Sequence, residues 1–273
     1  MQSNGGEPVA HPFRLGRFQA TVVNDGNTNY ATAGFLFASA PEDALRETLA
    51  ARRLDPEAIV CANNCLVVDT EEHRILIDAG LGFFRGGCAG MENAGRLLEK
   101  LEFIGIGRES IDLVVLTHYH GDHTGGLIDG DGTPSFPNAR ILISEQDWET
   151  GWSAHPSIRR IWTAVRDRIG WLRDGQEVVP GLRAILAPGH TPGHAVFALE
   201  SEGLRLFVLG DLVAHPLHIE CPEWTMSSEP DRAQAAASRL RILRMIKEEG
   251  LWAHSYHIAF PGLGRVVSEW RTG

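Results

Sequence analysis

Cysteine, tyrosine and clustered basic residues are scarce in this chain of 273 residues. The four cysteines, Cys61, Cys65, Cys88 and Cys221, make no zinc-finger spacing, so a thiolate metal framework is excluded. They read as reduced, mostly structural thiols, with a disulfide as the alternative and Cys88 exposed in its Gly-rich GGCAG. Arg52-Arg53 and Arg159-Arg160 are isolated pairs, and the net charge is −10, which disfavours nucleic acid as a partner. No stretch reaches the roughly 18 apolar residues of a membrane span, so no membrane partner is expected. The start, MQSNGGEPVAHPF, lacks the basic end and apolar core of a signal peptide. The expected location is cytoplasmic, although a chain whose leader had been removed would read the same. No repeat and no Pro/Gly/Ser linker divides the chain. One domain over 1–273 is expected, with 1–16 as a flexible N-terminal segment. Hydrophobic residues at 43% and charged residues at 22% suit a soluble fold with a sizeable core.

Strand and helix patterns alternate along the chain. Segments 18–23 and 34–37 read as strands, and 41–54 as a helix with proline in its first turn. Segments 66–68 and 74–77 suggest a hairpin. Leu97, Leu98, Leu101 and Ile104 fall at helical core spacing within 92–106. Strands are predicted at 112–116, 140–143, 182–187, 195–199 and 204–209. A helix start is expected at 144–148, with 158–172 irregular or helical. A long helix over 231–249 would bury Leu240, Leu243 and Ile246. The mixture argues for one α/β domain.

The densest chemistry is His118-Tyr119-His120-Gly121-Asp122-His123, directly after the apolar run 111–116. A core strand end needs none of these side chains, whereas imidazole and carboxylate are zinc ligands. Alternate residues of an extended segment share a side, so His118 and His120 can reach one metal. Asp122 and His123, beyond the Gly121 turn, can aim at a second. Further candidates follow apolar runs downstream: His190 and His194 in PGHTPGH, Asp211 after 206–210, and His254 and His257 in AHSYHIAFPGLG.

Together these give the order HxHxDH, His, Asp, His, which resembles the metallo-β-lactamase superfamily from about residue 18 to 267. The turn Ile75-Leu76-Ile77-Asp78-Ala79-Gly80 matches its first motif. LTHYHGDHTGGLIDGDGTPSFPNA and HIAFPGLG are closest to the methyl parathion hydrolase and quorum-quenching lactonase branch. The resemblance implies a four-layer αβ/βα sandwich, two facing mixed β-sheets with outer helices. It implies two divalent metals, zinc as the first expectation. His118, His120 and His194 would hold one, Asp122, His123 and His257 the other, with Asp211 bridging. Asp78, Thr117, His190 and His254 would support these ligands from behind. Aromatic and apolar residues on nearby loops, Phe83, Phe84, Trp148, Trp152, Leu217, His218 and Trp224, are candidate pocket walls.

The activity implied is hydrolysis of a lactone or carboxylic ester by a metal-bridging hydroxide, with Asp122 orienting the nucleophile and moving the proton. A phosphotriesterase would use the same ligands. A β-lactamase often has Cys where Asp211 stands, and a glyoxalase-type thioesterase carries a C-terminal extension. A non-catalytic metal-binding protein is the remaining alternative. The expected partner is a small ester or lactone, with a homodimer compatible. Two positions depart from the branch. Arg265 stands where His is frequent, and the tyrosine of some acyl-homoserine lactonases has no counterpart among Tyr30, Tyr119 and Tyr256.

Overall fold

Two sheets are laid down one after the other along the chain, each in strict sequence order. The computed structural model describes residues 9–84, 90–267 and 270–272. The first sheet comprises β1 (Ala10–Leu15), β2 (Phe18–Ala31), β3 (Ile59–Asp69), β4 (Arg74–Ile77), β5 (Leu113–Val115), β6 (Arg140–Ser144) and β7 (Ile169–Leu172). The second comprises β8 (Glu177–Val179), β9 (Leu182–Leu186), β10 (Ala195–Ser201), β11 (Leu204–Val208), β12 (Trp252–His254), β13 (Leu263–Val266) and β14 (Trp270–Thr272). Strands β1 to β4 pair antiparallel and β4 to β7 parallel. In the second sheet only β11 and β12 pair parallel.

Side-chain alternation assigns the layers. Leu66, Val68, Ile75, Ile77 and Val115 face Phe197, Leu199, Leu206 and Val208 between the sheets. Their neighbours Val67, Leu76, Val114 and Ile141 face outward, onto Leu97 and Leu101 of the helix Leu97–Phe103 and Ile161 and Trp162 of the helix Pro156–Val165. On the other side, Val196, Ala198 and Phe207 pack on Ile242, Leu243 and Ile246 of the helix Arg232–Glu249. This is the four-layer sandwich. Strands buried on both faces explain why the central runs are continuously apolar rather than alternating.

Several sequence expectations change. Segment 34–37 is a helical turn, Ala33–Leu36, because the Thr32 side chain accepts from Phe35 N and starts a helix there. The predicted helix over 92–106 shortens to Leu97–Phe103, since Gly95 ahead of it has φ 78° and donates to buried Asp25. Segment 158–172 divides into the helix, a 3-10 turn at Arg166–Arg168, and β7. Residues 10–15, read as flexible, pair with β2, while residues 1–8 lie outside the described residues. Leu240 is 45% exposed; the buried stripe runs through Arg239, Ile242, Leu243 and Ile246. Cys61, Cys65 and Cys221 are free thiols, and Cys88 lies outside the described residues.

Phe197 is fully buried where the sheets face each other. Truncation there removes packing from both sheets, so Phe197→Ala should cost about 3–5 kcal/mol of unfolding free energy. Urea unfolding of the metal-free chain measures it; a loss below about 1 kcal/mol would contradict this placement of the core.

Candidate metal centre

The loops that follow β5, β9, β11 and β12 meet at one edge of the sandwich. The first carries 118–123, the second His190, the third Asp211 and the fourth His257. Ligand atoms of His118, His120, His190 and Asp211 all lie within 4.8 Å of one another, as do those of Asp122, His123 and His257. No single loop holds a complete set, so the fold assembles the centre.

In the first cluster, His118 Nε2 lies 2.9 Å from His120 Nδ1, and His190 Nε2 lies 3.2 and 3.1 Å from these two. A neutral ring nitrogen either donates or accepts, so three nitrogens in mutual contact cannot all be paired. The hydrogen of His118 is also turned away. Asp78 accepts from Thr117 N at 2.8 Å and from Thr117 Oγ1 at 2.8 Å, which leaves Thr117 Oγ1 to accept from His118 Nδ1–H at 3.0 Å. His118 Nε2 therefore presents a lone pair. Burial, followed by the other imidazoles crowded around each ring, holds His118 well below the ordinary imidazole range and His120 at about 3. Nitrogens bound to one tetrahedral zinc would sit about 3.3 Å apart, so the donor set fits such an ion.

The second cluster is arranged the same way. His123 Nδ1 donates to Asp78 Oδ2 at 2.8 Å, and His257 Nδ1 donates to the Ala62 carbonyl at 2.9 Å. Their Nε2 atoms then face carboxylates. His123 Nε2 lies 3.1 Å from Asp211 Oδ1 and 3.7 Å from Asp122 Oδ2. His257 Nε2 lies 3.3 Å from both Asp122 Oδ2 and Asp211 Oδ1. A lone pair facing a carboxylate is repulsive unless a proton or metal cation lies between them. Burial would depress His123, yet Asp211, Asp78 and Asp122 outweigh it and raise its pKa to about 10. Burial likewise pushes Asp122 up, and His123 and His257 overcome this to hold it at about 2.

Asp211 joins the clusters. Its Oδ1 faces His123 and His257, and its Oδ2 lies 3.3 Å from His190 Nε2 and 3.8 Å from His118 Nε2. His190, expected to stand behind the ligands, belongs to the first cluster instead of His194. The His194 ring turns to the chain, where its Nε2 accepts from Asp211 N at 3.2 Å. His254 is buried in β12 and belongs to neither cluster. Burial alone brings its pKa down to about 3.

A cavity of about 260 Å³ opens onto both clusters, lined by Ala31, Phe35, Leu36, Cys61, Ala214 and Met226 beside the ligands. The seven pocket residues expected from the sequence lie elsewhere. Trp148 and Trp152 pack on Trp162 and the outer core. Phe83 and Phe84 stack on each other, with Arg160 over Phe83. Leu217 and Trp224 are buried behind the cavity wall. His218 works from behind it, donating to Leu36 O at 3.0 Å and accepting from Ala214 N at 3.3 Å. A larger cavity of about 530 Å³, near Phe13, Trp252 and Leu263, contains neither ligand cluster, so the chemistry belongs to the smaller one.

The model of the Metallo-beta-lactamase superfamily matches residues 58–251, more than half of the chain. The chain belongs to the metallo-beta-lactamase superfamily. Among superfamily relatives, an N-acyl homoserine lactonase of a Bacillus species is 28% identical over 153 residues, 50% of this chain and 58% of the relative. That of Bacillus cereus is 28% identical over 160 residues, 53% and 61%. The chain thus matches less than two thirds of the length of these relatives. Two solved structures align over nearly all of it. AidC, a dizinc quorum-quenching lactonase in complex with a product, has a TM-score of 0.86 at 26% identity, covering 95% of this chain and 94% of its own. AbOPH, a hydrolase in the beta-lactamase superfamily, has a TM-score of 0.85 at 25% identity and covers 97% of each.

Two outcomes follow for this superfamily member. His190→Ala should lose tightly bound metal, whereas His194→Ala should keep more of it. Elemental analysis after dialysis decides, and equal retention would return His194 to the ligand set. Metal uptake at neutral pH should release protons, because the raised His123 must give one up to bind. Affinity should therefore rise with pH. Calorimetry in buffers of different ionisation enthalpy gives the proton count; a count of zero would contradict the protonated metal-free centre.

Proposed function

We propose that this chain is a binuclear metal-dependent hydrolase that opens lactones or cleaves carboxylic esters, with N-acyl homoserine lactones as the first class to test. The carrying observation is Asp211, one carboxylate with an oxygen toward each histidine set. On this reading His118, His120, His190 and Asp211 hold one ion, and Asp122, His123, His257 and Asp211 the other. Two bound divalent ions, zinc first, would supply Lewis acidity toward a carbonyl and an acidified water.

The chain's own groups complete the chemistry. Asp122 lines the cavity and stays ionised, with a pKa of about 2. It can accept a proton from the attacking water and return it to the leaving alkoxide. Neither Tyr119 nor Tyr256 lines the cavity, and the Tyr256 hydroxyl donates to Asp122 O at 2.6 Å. Asp122, which does line the cavity, is the group assigned to proton delivery. Phe35, Leu36, Ala214 and Met226 offer an apolar wall for an acyl chain, and no Lys or Arg lines the cavity among the described residues. A phosphorylated polyanion would find no basic side chain there to add to the ions themselves. The lactonase relatives and the dizinc lactonase structure support the same substrate class. Among the described residues no helix is long and apolar enough to cross a membrane.

Zinc-loaded protein should be ranked by kcat/KM on short- and long-chain N-acyl homoserine lactones, aryl esters, a phosphotriester and a β-lactam. Lactones or esters should lead. Asp122→Asn should lower kcat by about 10²–10⁴ with a smaller change in KM. A phosphotriester or β-lactam turned over fastest would replace this reading.

A further inference from the structure

The apolar core between the sheets is non-directional and cannot by itself set ligand atoms to a few tenths of an ångström. His118 and His120 ride on the first sheet and His190 on the second, so a directional link across the cleft is required. Ala195 N donates to Thr117 O at 2.8 Å, and one buried side chain adds links at the ligand loops themselves. Asp147, in the first turn of the helix Glu145–Ala154, has no solvent exposure and touches no ligand ring. Its Oδ2 accepts from Tyr119 N at 3.1 Å and from Thr191 Oγ1 at 2.7 Å, and its Oδ1 accepts from Gly193 N at 2.6 Å. Tyr119 lies between His118 and His120, and Thr191 directly follows His190. Every histidine of the first cluster thus has a chain neighbour bonded to this one carboxylate.

The packing has been shaped for the contact. A Cβ on Gly193 would fall 1.9 Å from Ser144 Oγ and 2.9 Å from Asp147 N. Only glycine lets the His190 loop come this close. Ser144 Oγ in turn accepts from Asp147 N at 3.2 Å and fixes the helix start that presents the carboxylate.

The geometry points to Asp147 as the positioning residue of the first metal cluster, a clamp that holds the 118–120 and 190–193 loops in register across the two sheets. The assignment rests on the metal-binding reading above. The second cluster has a different anchor. Asn64 donates to Ser255 O at 3.3 Å and to Ile258 O at 2.7 Å, on either side of His257. Losing Asp147 should therefore loosen one ion and leave the other.

The test is zinc titration against a chromogenic chelator, with elemental analysis after dialysis, on wild type, Asp147→Asn, Gly193→Ala, Thr191→Val and Thr191→Ser. Asp147→Asn keeps the shape but turns an amide N–H₂ toward chain donors. It should weaken one of two zinc sites by about 10–100-fold, the range for groups that orient ligands. Gly193→Ala should act in the same direction without changing charge. Thr191→Val should weaken that site less, and Thr191→Ser, which keeps the hydroxyl, should restore wild-type affinity. Thermal unfolding of each metal-free variant separates stability from affinity. Lower metal-free stability with both zinc constants unchanged would overturn the proposal, as would equal weakening of both sites. A wild type without tight zinc would overturn the metal reading itself, whereas tight wild-type zinc with unaltered variants would overturn only the role of Asp147.

Discussion

Seven imidazole and carboxylate side chains, five buried and His120 and Asp122 partly so, crowd within a few ångströms of each other and need a positive charge to share. The surrounding hydrogen bonds make sense as consequences of that constraint. Asp78 accepts from Thr117 and His123, and Ala62 O accepts from His257, so the Nδ1–H of His123 and of His257 is turned outward and their Nε2 inward. These two rings are fixed in orientation before any ion arrives. Asp78 itself adopts φ 60°, an uncommon conformation for a residue with a side chain, as the first-sheet chain turns toward the centre.

The cavity wall depends on a second buried charge arrangement. Arg239, on the long helix, donates to Leu212 O, Pro222 O and Trp224 O and pairs with Glu229 at 2.9 Å. Both side chains are fully buried, and Glu229 also accepts from Met226 N. Desolvating such a pair is expensive, and it adds little to stability compared with apolar packing. What it does provide is direction. Four donor sites from one guanidinium hold the segment that presents Met226 to the cavity, and Glu229 stands 3.8 Å behind His190. The cavity wall and His190 thereby share one support.

Most strands and the clustered ligand candidates were legible in the sequence because their signals are local, whereas the sandwich was legible only through the family resemblance. A buried strand is a short apolar run, and HxHxDH is contiguous. The choice between His190 and His194 was not local. The two flank the same Pro192-Gly193 turn, and it takes the three-dimensional structure, with Gly193 drawn against Asp147, to show that His190 is the ring in the cluster. The pocket was illegible for a related reason. Trp148 and Trp152 follow β6 at the right edge, but their helix lies on the outer face of the sheet. The actual wall comes from Ala31, Phe35, Cys61 and Met226, far from the motif in sequence. Asp147 gave no motif signal at all, since an acid in the first turn of a helix is ordinary there.

Each sheet is a continuous half of the chain, residues 10–172 and 177–272. The ligands do not respect that division. His118, His120, Asp122 and His123 come from the first half, and His190, Asp211 and His257 from the second. Neither half owns a full coordination sphere, so an ion held in either cluster is a cross-link between them. It binds the docked state and not the separated one, and by mass action stabilises the docked state as free metal rises. The metal supply of the surroundings would then govern the lifetime of the folded protein as well as its chemistry.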